Sequence, residues 1–288
     1  MNLYQETKFL MEKYHLQASK RLGQNFLIDE TVLQDIIEAA QVNQDDIIIE
    51  IGPGLGTLTA ALLEKAKKVI SIELDDRMLT ILRERFRLYS NFELVHADVL
   101  KLNLQEMIEK AKQENKTKTV KIVANLPYYI TTPIIMKLLE ERLAIESITV
   151  MVQKEVADRL TANPGQKQAG AITYAVCYYA QAEAKCLVPH KAFLPEPEVE
   201  SEVITLEIRK EPKVKVKDEK FLFSIIKSAF SQRRKTLLNS LANNKIEAKE
   251  KVKKLLDNQN LPDTIRGEAL TLEQFAKLAN QLQEETTC

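Results

Sequence analysis

The chain has 288 residues, which suits one large domain or a large domain with a small one. Its composition, 45% hydrophobic and 28% charged with zero formal net charge, is that of a globular protein, and no apolar run approaches the roughly 18–20 residues of a membrane span. A charged N-terminal segment and three cysteines without CxxC spacing lead us to expect a cytoplasmic protein with no membrane partner, no disulfide framework and no metal site.

A glycine-rich turn follows the first strongly apolar run. The run is Ile47-Ile48-Ile49-Glu50-Ile51, the turn is Gly52-Pro53-Gly54-Leu55-Gly56, and an apolar-periodic segment comes next. This order predicts a strand, a tight turn and a helix. Glycine accepts positive φ and lets a ligand lie against the backbone, and the free N–H groups at a helix start favour a carboxylate or phosphate.

Glu73 ends the next strand-like run and can accept hydrogen bonds from ribose hydroxyls. The glycine turn and Glu73 together indicate a nucleoside-containing cofactor. An ordinary turn with a surface glutamate is the structural alternative.

Strand and helix patterns alternate through the first half of the chain. Further strands are predicted at residues 69–72, 92–98, 120–124 and 148–152. Such alternation predicts an α/β protein whose parallel sheet is covered on both faces.

The second half of the chain changes character. Two strand-like runs, 183–188 and 203–208, flank a proline-punctuated loop, and residues 218–285 then have the periodicity of amphipathic helices. We therefore predict two domains, residues 1–208 with an N-terminal arm at 1–28, and a small all-helical domain at 209–288.

Three residues outside the glycine turn are candidate ligand contacts. In the arm, Asn25 could hydrogen-bond a ligand that Leu27 covers, or the neighbouring apolar residues could simply dock the arm on the core. Asp98, at the tip of the third strand, could accept a hydrogen bond from an adenine amino group or cap the next turn.

Asn125-Leu126-Pro127-Tyr128 ends the fourth predicted strand, at the carboxyl edge where open α/β sheets bind ligands. An Asn oxygen and a neighbouring main-chain carbonyl can accept both hydrogens of an adenine amine, whose lone pair is otherwise conjugated with the ring. Proline stiffens the turn, and a base stacked on Tyr128 gains ~1–3 kcal/mol. The segment favours amine methylation by positioning and electrostatics without a strong general base. A stiffened loop with a buried tyrosine is the alternative.

Phe193 and the basic C-terminal segment complete the candidates. Phe193, in a loop that prolines hold extended, could pack against an extruded base or anchor the core. Between residues 210 and 254 there is an excess of nine positive charges, which suggests a polyanionic partner or a solvated lysine-rich surface.

Taken together, six segments resemble the ribosomal RNA adenine N6-dimethyltransferase family. They are LGQNFL at 22–27, EIGPGLGTLT at 50–59, IELD at 72–75, NLPYYITTPI at 125–134, FLPEPEVESEV at 193–203 and AFSQRRKTLLNSL at 229–241. The match covers nearly the whole chain. It is strongest to the bacterial, kasugamycin-sensitivity type, which dimethylates two adjacent adenosines in the loop near the 3′ end of 16S rRNA.

The resemblance implies a Rossmann-like methyltransferase sheet with a helical C-terminal domain, and S-adenosyl-L-methionine as methyl donor. The cofactor contacts it implies are Asn25, Leu27, Gly52, Glu73, Asp98 and Asn125. The catalytic residues it suggests are Asn125, Leu126, Pro127, Tyr128 and Phe193. Arg233, Arg234 and Lys235 would help to bind 16S rRNA in the small ribosomal subunit or its precursor, and we expect the protein to be monomeric.

Three other functions compete with this one. A 23S rRNA adenine methyltransferase shares the fold and chemistry, but that sister group typically has isoleucine at the position of Leu126 and matches less of the SQRRKTL segment. A non-catalytic ribosome assembly factor would have degenerate cofactor or NLPY residues. A DNA adenine methyltransferase would usually add a separate DNA-reading region.

Overall fold

The structure, a computed structural model, describes residues 1–19, 22–232 and 234–284. Its contacts divide the chain into two compact units. Unit 1 contains the described residues up to 157 together with residues 182–208, and unit 2 contains residues 158–181 and the described residues from 209 onward. None of the helices formed by these residues combines the length and apolar character needed to cross a bilayer.

Helices and strands alternate as the patterns predict. In chain order the elements are α1 (Leu3–Lys13), β1 (Phe26–Leu27), α2 (Glu30–Ala39), β2 (Ile47–Ile51), α3 (Thr57–Lys65), β3 (Lys68–Glu73), α4 (Asp76–Arg85), β4 (Phe92–His96), α5 (Leu104–Asn115), β5 (Val120–Asn125), α6 (Thr131–Glu140), β6 (Ser147–Gln153), α7 (Lys154–Thr161), α8 (Ala171–Tyr179), β7 (Ala180–Val188), β8 (Phe193–Leu194), β9 (Ser201–Ile208), α9 (Glu219–Ser231), α10 (Leu237–Asn243), α11 (Lys249–Asp257) and α12 (Leu272–Glu284).

The main sheet has seven strands in the order β4-β3-β2-β5-β6-β9-β7. The pairs β4/β3, β3/β2, β2/β5 and β5/β6 are parallel, and β9 joins β6 antiparallel. After β4 the chain returns past β2 to place β5 on its other side, so the strand order reverses at β2. Ligands of open α/β sheets bind in the crevice beyond the carboxyl ends of the strands at such a reversal.

The burial of β2 fits its position in the middle of the sheet. All five of its residues are buried, as expected for a strand that is covered on both faces. On α2 the buried side chains Val32, Leu33, Ile36 and Ile37 follow the helical period, and the Asp29 carboxylate accepts from the N–H groups of the first turn.

The N-terminal arm contains a helix and a strand that the sequence did not predict. Helix α1 starts at a capping box formed by Asn2 and Gln5, and among its residues only Thr7 and Leu10 are buried. Because so few apolar positions repeat, the pattern gave no helical signal. Strand β1 pairs antiparallel with β8, with Phe26 opposite Leu194 and Leu27 opposite Phe193.

The domain boundary predicted from the sequence needs one correction. Residues 158–181 were assigned to the first domain, whereas the structure groups them with unit 2. The reason is Tyr174 of α8, which is fully buried against Phe230 and Phe275 with ring centroids 5.3 and 5.1 Å away. Its hydroxyl also donates to the Leu270 carbonyl at 2.5 Å. The apolar surface of α8 is therefore buried by the C-terminal helices.

Candidate functional site

A pocket of about 1180 Å³, including its open mouth, lies within unit 1 at the carboxyl ends of the parallel strands. Every cofactor-binding and catalytic residue predicted from the sequence lines it, except Phe193. The predicted residues that line it are Asn25, Leu27, Gly52, Glu73, Asp98, Asn125, Leu126, Pro127 and Tyr128. The pocket therefore stands at the sheet reversal, where the topology favours a ligand.

The turn after β2 owes its shape to glycines in the left-handed region. Gly52 has φ +70°, and a Cβ added there would approach only Pro127, at 4.0 Å, so the missing side chain leaves open space in the pocket. Gly56 has φ +85° and precedes the first turn of α3. Its constraint is packing, since an added Cβ would lie 2.6 Å from the Phe86 ring. Gly52 thus leaves backbone exposed to a ligand, and Gly56 lets the turn pack against the core just before the helix N-terminus.

Glu73 holds its carboxylate at the end of β3 through three backbone N–H donors. Oε1 accepts from Leu74 and Asp75 at 2.7 and 2.8 Å, and Oε2 accepts from Gly54 at 3.2 Å. Burial raises the pKa of Glu73, and the three hydrogen bonds act in the opposite direction. A carboxylate has about four acceptor positions. Glu73 thus keeps one position on Oε2 for a ligand hydroxyl while it braces the glycine turn.

Asn125, at the end of β5, is oriented by the N-terminal arm. Its Nδ2 donates to the main-chain carbonyl of Asn25 at 3.3 Å, and the Nδ2 of Asn25 donates to the Gly23 carbonyl at the same distance. Since the amide nitrogen of Asn125 is used in this way, Oδ1 is left as an acceptor in the pocket. The arm therefore determines which end of the Asn125 amide is available.

The carbonyls of Leu126 and Pro127, which follow Asn125, differ in whether they have a hydrogen-bond partner among the described residues. The Pro127 carbonyl accepts from the Ile130 N–H at 3.2 Å and from the Thr131 hydroxyl at 3.0 Å. The Leu126 N–H donates to Met151, but its carbonyl has no partner in the described chain. Asn125 Oδ1 and the Leu126 carbonyl are thus two neighbouring acceptors for a group with two hydrogens.

Tyr128 is held by a hydrogen bond of 2.6 Å between its hydroxyl and Ser201 Oγ. Burial raises the pKa of the phenol, and the bond to Ser201 lowers it to a lesser extent. The phenol therefore stays neutral near pH 7, as a stacking surface requires.

A second set of contacts ties the arm to the loop after Glu73. Gln24 Nε2 donates to Asp75 Oδ2 at 2.9 Å, and Gln24 Oε1 accepts from the Ser19 N–H at 2.9 Å. The Arg77 guanidinium beside Asp75 lowers the pKa of that carboxyl. These contacts fix Gln24 of the arm to the loop after Glu73, and the contact with Asn125 fixes the neighbouring Asn25. Both arm residues line the pocket.

Asp98 follows β4 and accepts from the Leu100 N–H at 3.0 Å. Its side chain is 27% exposed and lies 3.8 Å from the Lys101 ammonium. The capping alternative is therefore observed. The second oxygen, Oδ2, is the one that faces Lys101, and it is the acceptor that remains for a ligand amine in the pocket. In the parts of the chain that the structure describes, no three His, Cys, Asp or Glu side chains are grouped so as to hold a metal ion.

Sequence comparison decides the family. A profile described as ribosomal RNA adenine dimethylase matches residues 15–284. The chain belongs to this family. The resemblance seen in the six sequence segments is thereby confirmed.

Curated relatives of this dimethylase family cover the same length. The chain is 46% identical over 278 residues to ribosomal RNA small subunit methyltransferase A of Alkaliphilus metalliredigens (strain QYMF), covering 96% of each chain. It is 47% identical over 276 residues to the protein of the same name from Clostridium acetobutylicum, covering 96% of this chain and 98% of the relative.

Solved structures of adenine methyltransferases share the fold. A dimethyladenosine transferase from Plasmodium falciparum aligns with a TM-score of 0.73 at 27% identity, covering 91% of this chain and 98% of that one. The 23S rRNA methyltransferase ErmE aligns with a TM-score of 0.67 at 27% identity, covering 90% and 100%. The predicted Rossmann-like methyltransferase fold is confirmed.

Phe193 is the one predicted catalytic residue that the structure places away from the pocket lining. In this family member its side chain is 1% exposed and belongs to the hydrophobic core. Phe193 lies in β8, opposite Leu27 of β1, which does line the pocket. The core alternative is thus observed in the ligand-free chain, and the catalytic role suggested for Phe193 stays a prediction.

Two of the three predicted RNA-binding residues lie in the turn between α9 and α10. Arg234 and Lys235 are exposed there, and Arg233 lies outside the described residues. Exposed guanidinium and ammonium groups are available to phosphates, and the role predicted for them remains a proposal.

Sequence reasoning missed Glu50, which also lines the dimethylase pocket. Glu50 Oε2 accepts from the Thr59 and Ser71 hydroxyls, both at 2.7 Å, whereas Oε1 is buried without a partner among the described residues. Burial raises the pKa of Glu50 to about 7, against the lowering effect of the two hydroxyls. The available signal was one carboxylate inside a run of isoleucines, which demands a specific reason for burial.

The raised pKa of Glu50 leads us to expect that the free energy of unfolding depends on pH. Its folded-state pKa, about 7, lies above the ordinary 4.5, so the extra stability is complete below pH 4.5 and is lost as pH rises through about 7. Glu50→Gln removes this loss, and the unfolding free energy of the variant relative to wild type should rise by about 3 kcal/mol between pH 4.5 and 8. Urea unfolding of the ligand-free protein measures it, with Glu64→Gln on the exposed face of α3 as control. A pH-independent difference between Glu50→Gln and wild type would contradict it.

Proposed function

We propose that this protein transfers methyl groups from S-adenosyl-L-methionine to the N6 amines of two adjacent adenosines in the 3′-terminal hairpin loop of 16S rRNA. The product is N6,N6-dimethyladenosine, made during biogenesis of the small ribosomal subunit. The observation that carries the proposal is the pair of free acceptors, Asn125 Oδ1 and the Leu126 carbonyl, in the pocket that also contains the glycine turn and Glu73. We further propose a monomer acting in the cytoplasm.

The amine-binding half of the pocket explains how a conjugated nitrogen becomes reactive. The two acceptors bind both hydrogens of the N6 amine, which favours a tetrahedral nitrogen with its lone pair directed away from the ring. Tyr128 supports the base from one face, and Pro127 keeps its carbonyl occupied within its own turn. These residues contribute by orientation and fixed dipoles.

The cofactor half of the pocket suits a nucleoside with a cationic tail. Glu73 has one acceptor position for the ribose, Asp98 has an oxygen for the adenine amine, and the space beside Gly52 admits a ligand against the backbone. Asn25 and Leu27 border the same space from the arm. When bound, S-adenosylmethionine supplies a methyl group on a positively charged sulfur.

The small-subunit target is supported by the relatives. Full-length relatives at 46–47% identity are named as small subunit methyltransferases, whereas the 23S rRNA methyltransferase ErmE is 27% identical. The intact NLPY and glycine segments favour an enzyme over a non-catalytic assembly factor.

The basic segment of unit 2 should contribute phosphate contacts. Replacing both Arg234 and Lys235 with Glu is expected to weaken binding to small-subunit particles. It should also reduce the magnitude of the slope of log K against log salt concentration by about 1–2, because fewer phosphate contacts form and fewer counterions are released on binding. Filter binding between low and moderate salt measures the slope. The matched control reverses Lys110 and Lys118, two exposed lysines of unit 1. If the Lys110 and Lys118 control shows the same loss of affinity and the same change in slope, Arg234 and Lys235 are not specific phosphate contacts.

The function itself is tested with isotopically labelled S-adenosylmethionine and unmethylated small-subunit particles, with large-subunit RNA offered in parallel. Mass spectrometry of the nucleosides should show labelled N6,N6-dimethyladenosine only in the small-subunit RNA. Label in the large-subunit RNA would transfer the assignment to the 23S-directed activity. Binding of cofactor and particle without label in either RNA would favour an assembly factor.

A further inference from the structure

Tyr129 is an aromatic side chain at the mouth of the pocket that the reaction as described does not use. It lies between Tyr128 and Ile130 in a single 3₁₀ turn, lines the pocket, and is 56% exposed. The ring thus borders the pocket and the solvent at the same time. A large ring left this open to water gives up most of its burial energy, so a ligand that covers it gains that energy.

The two neighbouring tyrosines differ in how they are held. Tyr128 is fixed through its hydroxyl by Ser201, whereas the Tyr129 hydroxyl has no partner among the described residues. The Tyr129 ring is supported from behind by the arm, because a Cβ placed on Gly23 would lie 3.3 Å from its Cδ1. The ring thus contacts the arm at Cδ1, while more than half of the residue's surface stays exposed.

The turn that carries Tyr129 is also well fixed. The Ile130 N–H and the Thr131 hydroxyl both donate to the Pro127 carbonyl, and Thr131 begins α6. A ring on such a turn loses little conformational entropy when a base stacks on it. The pocket and its mouth therefore have two consecutive aromatic residues, one inside and one outside.

We propose that Tyr129 stacks on the adenosine that neighbours the target, while the target adenosine occupies the pocket beside Tyr128. The proposal rests on the function proposed above, in which the two targets are adjacent. Extruding one base from a loop breaks its stack with the next base and leaves a face of that base uncovered. Tyr129 covers this face, so it acts as a substrate-binding residue for the flanking nucleotide.

The test compares Tyr129→Ala, Tyr129→Phe and wild type on unmethylated small-subunit particles. Tyr129→Ala should lower kcat/KM by about 10-fold, the loss expected for one base–aromatic stack, with most of the change in KM. Tyr129→Phe should restore it, because stacking needs the ring and not the hydroxyl. The dissociation constant for S-adenosylmethionine should stay within about 2-fold of wild type, since the ring stands at the mouth. Tyr4→Ala, which removes a ring 40% exposed on α1, is the matched control.

Particles with a substitution in the rRNA test whether the effect of Tyr129→Ala depends on the base next to the target. When one of the two adenosines is replaced by uridine, which stacks less well, the effect of Tyr129→Ala on methylation of the other should shrink to about 2-fold. An unchanged 10-fold effect on these particles, or no effect on the normal ones, overturns the proposal. If the wild-type protein itself makes no dimethyladenosine in the particles, the proposed function fails instead, which distinguishes the two.

Discussion

Replacing Asn125 with alanine is expected to lower the single-turnover rate of methyl transfer by at least about 10²–10³-fold while the fold stays intact. The variant loses Oδ1, and the Leu126 carbonyl alone cannot hold both hydrogens of the amine. It also loses the Nδ2 contact to Asn25, a single bond of 3.3 Å, so the change in stability should be small. The measurement is a rapid-quench assay at saturating S-adenosylmethionine.

The matched control for this prediction is Asn115→Ala, which removes an amide of unit 1 outside the pocket. Within the described part of the chain, the Nδ2 of Asn115 donates only to the Ala111 carbonyl of its own helix, at 2.9 Å. Its rate should equal that of wild type, and both variants should melt within a few degrees of wild type. A rate near that of wild type for Asn125→Ala would remove Asn125 from the amine-binding site.

Replacing Gly56 with alanine is expected to lower the unfolding free energy by about 2–5 kcal/mol, the combined cost of left-handed backbone and overpacking. The new Cβ would lie 2.6 and 2.8 Å from two atoms of the Phe86 ring and 3.0 Å from Leu82 Cδ2. Since Phe86 and Leu82 belong to the core, they cannot move aside freely. Urea unfolding measures the loss, and S-adenosylmethionine binding should weaken because the turn shifts.

Two other glycines separate the causes. Gly165 has φ +91° with nothing within 4 Å of an added Cβ, so Gly165→Ala should cost only about 1–2 kcal/mol for the backbone. Gly170 has φ −131° and equally open surroundings, so Gly170→Ala should be close to neutral. If Gly56→Ala costs no more than Gly165→Ala, the Phe86 contact is not what requires glycine.

Local patterns predicted the pocket because its parts are short strings at strand ends. The strand before Gly52, the strand before Glu73 and the strand before Asn125 each have an apolar run that stops at a polar or glycine residue. Parallel pairing then brings these ends to one edge of the sheet. Three separate segments thus predicted a single site without any knowledge of long-range contacts.

The features that the sequence did not reveal depend on partners far along the chain. The burial of Phe193 follows from its pairing with Leu27, and the grouping of residues 158–181 follows from the contacts of Tyr174 with Phe230 and Phe275. Glu50 is buried because Ser71, on the neighbouring strand, supplies a hydroxyl. Periodicity describes one element at a time and has no information on such pairs.

The pairing of β1 with β8 also determines when the arm is fully paired. During synthesis the arm is made first, but Leu27 finds its partner only after Phe193 has been added. By then β2 to β6 are already available to form the parallel core. A nascent chain that stops after β6 has the glycine turn and Asn125, and its arm has the contacts of Gln24 with Asp75 and of Asn25 with Asn125, but β1 still lacks its strand partner. The arm of this family member is therefore fully paired only late in translation, after the strands of the parallel core have been made.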